Sequence, residues 1–151
     1  MMNRLNSIIF DWKRTLYDPE QKVLIDGVLD LLDLIKAKNI PMVLIGKGAE
    51  DMQREVKRLG VDKYFRQIVF AEGDKNPQVF MPFVSKADPE RTLFIGDRVR
   101  SELEIGKKLG AVTVWVRQGK FASEMPQNHD QKPDYTVSSL RDCLSVISGL
   151  N

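Results

Sequence analysis

The chain has 151 residues, 42% apolar and 29% charged, with 23 basic and 21 acidic side chains and a net charge of +2. That length predicts one domain, 1–151, able to bury roughly two-thirds of its unfolded surface without disulfide or metal staples. The balance of charge offers no clear nucleic-acid surface. No apolar run approaches the ~18 residues of a membrane span. The first residues lack the layout of a secretory signal, so a cytoplasmic protein with no membrane partner is expected. Cys143 is the only cysteine, which rules out an internal disulfide or a zinc knuckle, and its apolar helical surroundings predict a buried structural thiol.

Ser7 to Phe10 has the length and content of a buried strand, and it delivers Asp11 into a polar turn. Trp12 to Gly27 is a connection with Asp18-Pro19 as its turn signal. Val28, Leu31, Leu32 and Ile35 recur at helical spacing, and Asn39 and Pro41 stop that helix. Met42 to Ile45 is a second strand, ending at Gly46-Lys47-Gly48; Met52, Val56 and Leu59 mark the next helix, closed by Gly60 as a left-handed cap. Gln67 to Phe70 is a third strand.

Asn76-Pro77 reads as an N-cap followed by proline in the first helical position, and Pro82 should shorten the helix it opens. Thr92 to Ile95 is a fourth strand and, like the first, it ends on an aspartate, here after Gly96. A helix from about Val99 to Leu109, capped by Gly110, leads to a fifth strand at Val112 to Val116. Lys120 to Asp134 is a polar loop, Tyr135 to Val137 a short edge strand, and Leu140, Leu144 and Ile147 a closing helix. The alternation predicts an α/β fold: a doubly wound, Rossmann-like domain with a mainly parallel sheet of five or six strands.

In such a sheet the ends of the first and fourth strands lie on one edge, so Asp11 and Asp97 can converge there, with Glu102 at the start of the next helix. Each acid alone would read as a turn or N-cap residue. Together, three carboxylates around one cleft make a hard-oxygen environment suited to Mg2+.

The stretch from Phe10 to Leu16, Gly96-Asp97 with Glu102, the Gly60 to Phe65 helix exit and Lys132 to Tyr135 together resemble the haloacid dehalogenase (HAD) superfamily of hydrolases. The resemblance runs from about Ser7 to Val137. It implies a HAD-like hydrolase fold, with Asp11 as the nucleophile that forms an aspartyl-phosphate. It also implies Asp97 and Glu102 as Mg2+ ligands with Asp11 and the main-chain carbonyl of Lys13, Thr15 as the brace of the nucleophile loop, and Lys75 as the catalytic lysine. Thr15, Gly46 and Lys47 would make the substrate-binding side.

Three positions depart from the family pattern. Lys13 stands where the family's phosphatases carry an acid/base aspartate, Gly46 where a hydroxyl residue binds phosphate, and an ungapped match would put Asp74 rather than Lys75 in the third motif. Neither insertion point has room for a cap domain, so the resemblance implies a capless member acting on a phosphorylated small molecule or macromolecule, with a homo-oligomer supplying any lid. Two readings stay open. One is a slow, Mg2+-dependent phosphatase, weakened by the missing acid. The other is a HAD-fold binding or regulatory module in which Lys13, with Lys47, neutralises Asp11 and Asp97 in place of the metal.

Overall fold

The computed structural model describes residues 5–73 and 75–150. Strand β1 (Ser7–Phe10) is buried along its whole length. It pairs in parallel with β4 (Met42–Lys47) on one side and β6 (Thr92–Gly96) on the other. With β5 (Gln67–Ala71), β7 (Val112–Val116) and β8 (Tyr135–Val137) they form a parallel six-stranded sheet in the order β5-β4-β1-β6-β7-β8. The order reverses direction at β1, the switch point where such sheets bind ligands.

Side chains of β1 alternate between two apolar cores. Ile8 and Phe10 face α1 (Val28–Ala37), α2 (Ala49–Arg58) and α5 (Cys143–Leu150), whereas Ile9 faces α3 (Pro77–Phe80) and α4 (Glu102–Lys108). Phe10 is wholly buried, a contribution of about 2–3 kcal/mol from apolar area alone. The Cys143 thiol is buried on the α5 side, and burial pushes it up to about 12, so it is packing rather than chemistry.

The punctuation works as the residues dictate. Gly60 and Gly110 follow α2 and α4 with φ of +71° and +88°. Asn76 accepts a hydrogen bond from Gln78 N at 3.0 Å, Pro77 starts α3, and Pro82 lies in a short 3-10 segment at Met81–Phe83 that replaces any further turn of α3. Two helix starts differ from expectation. The helix after Asp97 starts at Glu102 rather than Val99, because Val99 is buried in the turn that joins β6 to it. Leu140 lies in a 3-10 turn before α5.

The connection after β1 folds into a small antiparallel hairpin, β2 (Tyr17–Asp18) and β3 (Val23–Leu24). Its turn is closed by Lys22 N donating to Asp18 O at 2.8 Å, with Glu20 N donating to the Asp18 carboxylate at 2.9 Å. Among the described residues no helix is long and apolar enough to cross a membrane.

Candidate active site

β1 and β6 are neighbours in register, Phe10 opposite Ile95, and Asp11 N donates to Ile95 O at 3.1 Å. Asp11 and Asp97 therefore leave the sheet side by side. Glu102, on the first turn of α4, points back to them: one carboxylate oxygen from each of the three lies within 4.8 Å of the others. The longer glutamate fits because residue 96 is glycine. A β-carbon on Gly96 would stand 2.5 Å from Glu102 Oε1 and 2.8 Å from its Cγ.

Asp97 and Glu102 are 2% and 4% exposed. Burial, then the charges of Asp11 and Glu102, push the Asp97 carboxyl up to about 9; burial and Asp11 push Glu102 up to about 7. Thr15, wholly buried, places its hydroxyl 3.3 Å from Asp11 Oδ2 and 3.4 Å from Asp97 Oδ1. A threonine has one proton to give, so both contacts are hydrogen bonds only when one carboxyl donates, which a protonated Asp97 can do. The other oxygen, Asp97 Oδ2, is buried with no hydrogen-bond partner. A buried orphan acceptor beside two further carboxylates is the donor set that a hard divalent cation satisfies, so these residues fit Mg2+.

One ammonium already reaches the cluster. Lys75 Nζ donates to Asp11 Oδ1 at 2.5 Å and lies 3.5 Å from Ile45 O. Burial works against its charge, but Asp11, Glu102 and Asp97 together outweigh burial and raise its pKa. Asp74, the alternative for that position, lies outside the described residues.

The remaining sequence-predicted residues sit differently. Thr15 is too buried to meet a substrate; it positions the two aspartates. Gly46 has no space for the hydroxyl side chain of the family pattern, since a β-carbon there would come within 2.7 Å of Met52 Sδ and Trp12 Cβ. Lys47 is exposed at the end of β4. Lys13 is exposed as well, and its Nζ lies 3.8 Å from the place of a β-carbon on Gly48, at the start of α2. No ion pair joins Lys13 to Asp11, Asp97 or Glu102 among the described residues, so the cation that faces Asp11 is Lys75. The pairing with Asp11 that was one open reading for Lys13 is made here by Lys75.

Other participants carry no sequence signal. Trp115 Nε1 donates to Asp97 O at 2.9 Å, fixing the peptide that carries the buried acid. Arg98, next in the chain, binds Glu124 at 3.0 Å and stacks over Phe121, 4.1 Å from the ring centre, so the 119–125 segment is pinned beside the cluster. Trp12 stacks on Tyr17 with ring centres 4.9 Å apart, and Tyr17 donates to Glu55 on α2 at 2.7 Å, which ties the hairpin to the core.

A HAD-hydrolase-like family model matches residues 45–143, well over half of the chain. The matched segment includes Lys75, Asp97 and Glu102 and begins after Asp11, so it stands independently of the opening motif. The chain is 30% identical over 99 residues to a glyceraldehyde 3-phosphate phosphatase of Methanopyrus kandleri, covering 62% of this chain and 42% of that protein. It is 25% identical over 140 residues to a pyrimidine 5′-nucleotidase of Streptococcus pneumoniae, covering 87% and 57%. The chain thus spans about half the length of the curated relatives it matches. Among solved structures, a HAD-superfamily hydrolase from Ehrlichia chaffeensis superposes with a TM-score of 0.72 at 16% identity, over 99% of each chain. Sheet order, the convergence of acids at the switch point and the family match lead to one assignment: the chain belongs to the HAD-like hydrolases.

Proposed function

We propose that this protein is a capless, Mg2+-dependent phosphohydrolase that works through an aspartyl-phosphate on Asp11. The observation that carries this reading is the state of the Asp11 carboxylate. One oxygen is held by Lys75 and the other by Thr15, so the group is aimed at the sheet edge and its charge is shared with a neighbouring cation. A carboxylate needs no deprotonation to act as a nucleophile. Curated relatives named as phosphatases and nucleotidases support the class of reaction.

Asp11 attacks phosphorus, the bond to the leaving oxygen breaks, and that oxygen departs with the electron pair. Lys75 holds Asp11 in line and would offer its other protons to the phosphoryl oxygens. Asp97 and Glu102, with Asp11 and the Lys13 carbonyl, would hold Mg2+, which supplies Lewis-acid stabilisation of phosphoryl charge. Water then attacks phosphorus and gives up a proton to solvent, the Asp11 Oδ–P bond breaks, and inorganic phosphate leaves with the carboxylate restored. The acid that protonates a basic leaving group is missing at position 13, which costs on the order of 100- to 10,000-fold on such substrates. The short β2–β3 hairpin stands at the first insertion point, and the segment between β5 and α3 is shorter still; both support a site without a cap domain.

The test is hydrolysis of p-nitrophenyl phosphate with and without Mg2+ by wild type and Asp11→Asn. Turnover that requires both the metal and Asp11 is expected; turnover that survives in Asp11→Asn would refute the assignment of the nucleophile.

A further inference from the structure

Among the described residues, the side chains within hydrogen-bond reach of the Asp11 carboxylate are Lys75 at 2.5 Å and Thr15 at 3.3 Å. Lys75 is an ammonium, with protons to give and no lone pair, and a threonine hydroxyl is too weak a base to take a proton at neutral pH. Asp97 and Glu102 complete the cluster, but their oxygens are the donor set that fits Mg2+. Position 13 adds no acceptor either. The Lys13 side chain is exposed and runs toward Gly48, on the wall of a cavity of about 880 Å3 between the hairpin and α2 that none of Asp11, Lys75, Asp97 and Glu102 lines.

Other bases at the same sheet edge are engaged or set apart. Glu124 is held by Arg98 at 3.0 Å and Asp51 by Arg54, while Glu72 is exposed at the end of β5, separated from β1 by β4. The only histidine, His129, is exposed and forms no hydrogen bond or ion pair with the cluster among the described residues. The site therefore offers donors and metal ligands around Asp11 without a free lone pair to accept a proton.

The two halves of the reaction depend on such a base differently. In the first, Asp11 attacks as a carboxylate with no proton to lose, and a leaving group that is stable as an anion needs none. In the second, the nucleophile is water, which must be oriented and must lose a proton as its bond to phosphorus forms. A good leaving group removes the handicap from the first half only.

Resting on the phosphohydrolase reading above, we infer that the aspartyl-phosphate on Asp11 accumulates, so that a good phosphoryl donor converts the protein to a phosphoprotein whose loss of phosphate to water limits turnover. The Asp11 Oδ–P bond forms as the bond from phosphorus to the leaving oxygen breaks, and that oxygen keeps the electron pair. The phosphoryl group stays until water forms a new P–O bond and releases a proton to solvent. The Asp11 Oδ–P bond then breaks, giving inorganic phosphate and the free carboxylate.

The experiment mixes the protein rapidly with p-nitrophenyl phosphate in Mg2+ buffer and quenches parallel samples in acid for intact-protein mass spectrometry. Wild type should release a burst of p-nitrophenolate approaching one per chain, followed by a steady rate slower by on the order of 100-fold or more, the acceleration that a positioned base supplies. The acid-denatured protein should carry a single phosphoryl group that hydroxylamine removes and that Asp11→Asn lacks. Added imidazole should shorten the life of the phosphoprotein in proportion to its neutral form, because it brings the missing lone pair. Asp11-dependent turnover without a burst overturns the inference and leaves the phosphohydrolase reading standing; a fall of that turnover in Glu72→Gln or Asp74→Asn would name the base. A burst with no phosphate on the denatured protein assigns the slow step to release of free phosphate and also overturns it. Absence of Asp11-dependent turnover overturns both.

Discussion

The Lys75 ammonium and the Asp11 carboxylate meet at 2.5 Å with side chains only 8% and 10% exposed, so a lysine beyond the end of β5 neutralises an aspartate at the end of β1 across the intervening strand β4. Lys75→Met would leave three carboxylates facing one another without a cation. Breaking one partner of a buried pair costs about 3–5 kcal/mol. Urea unfolding in EDTA should register a loss of that order, part of which Mg2+ restores; phosphatase activity should fall to background, because Asp11 is no longer aimed.

The acid cluster makes the metal-free protein less stable as pH rises. Asp97 titrates near 9 in the fold against 3.8 ordinarily, and Glu102 near 7 against 4.5. Between those values the folded state keeps protons that the unfolded chain has released, so the stability these two groups contribute is full below about pH 4 and is lost toward pH 9. Thermal melts in EDTA should show Tm falling across pH 5 to 9, steepest below about 7, where both groups contribute. Asp97→Asn should flatten the upper part of that profile and melt higher than wild type at pH 8 in EDTA. The same variant should lose the Tm gain that Mg2+ gives wild type.

Gly96→Ala is expected to act on Glu102. The added methyl falls on the carboxylate that lies against Gly96, and a backbone-held strand cannot yield. Overpacking of this kind costs about 1–3 kcal/mol. The distinguishing result is a loss of Mg2+-induced stabilisation by calorimetry or melting, which a simple strand defect would not produce.

Restoring the family hydroxyl at position 46 should fail as a single change. Gly46→Ser drives a β-carbon into Met52 and Trp12, and Trp12 is the immediate neighbour of Asp11. A lower Tm without a gain in activity is expected. Combining it with Met52→Ala opens the space on one side and should recover part of the loss in Tm.

The elements that were legible in the sequence are those set by local rules. Strands β1, β4, β5, β6 and β7 are short apolar runs, and Gly60, Asn76-Pro77 and Gly110 punctuate the helices by backbone geometry alone. Asp11, Asp97 and Glu102 were readable because parallel strands with right-handed crossovers deliver both strand ends to one edge. What was not readable depends on side-chain direction and tertiary contact. Lys13 and Lys75 are equal candidates in a string of letters, yet one faces Gly48 and the other faces Asp11. The fit of Glu102 against Gly96, the Trp115 bond to Asp97 O and the clamp of Arg98 on Phe121 and Glu124 arise between residues whose spacing follows no period. The β2 and β3 strands are two residues each, too short for alternation to register.

The stack of Trp12 on Tyr17 couples the hairpin to Asp11. Trp12 follows Asp11 directly in the chain and is pressed against the root of the hairpin, while Tyr17 is tethered in turn to α2. The hairpin therefore behaves as a fixed sill rather than a door. A change at Trp12 or Tyr17 therefore reaches both the seat of the hairpin and the aim of Asp11, whereas Arg58, which donates to Lys22 O, holds the hairpin to α2 by a second route.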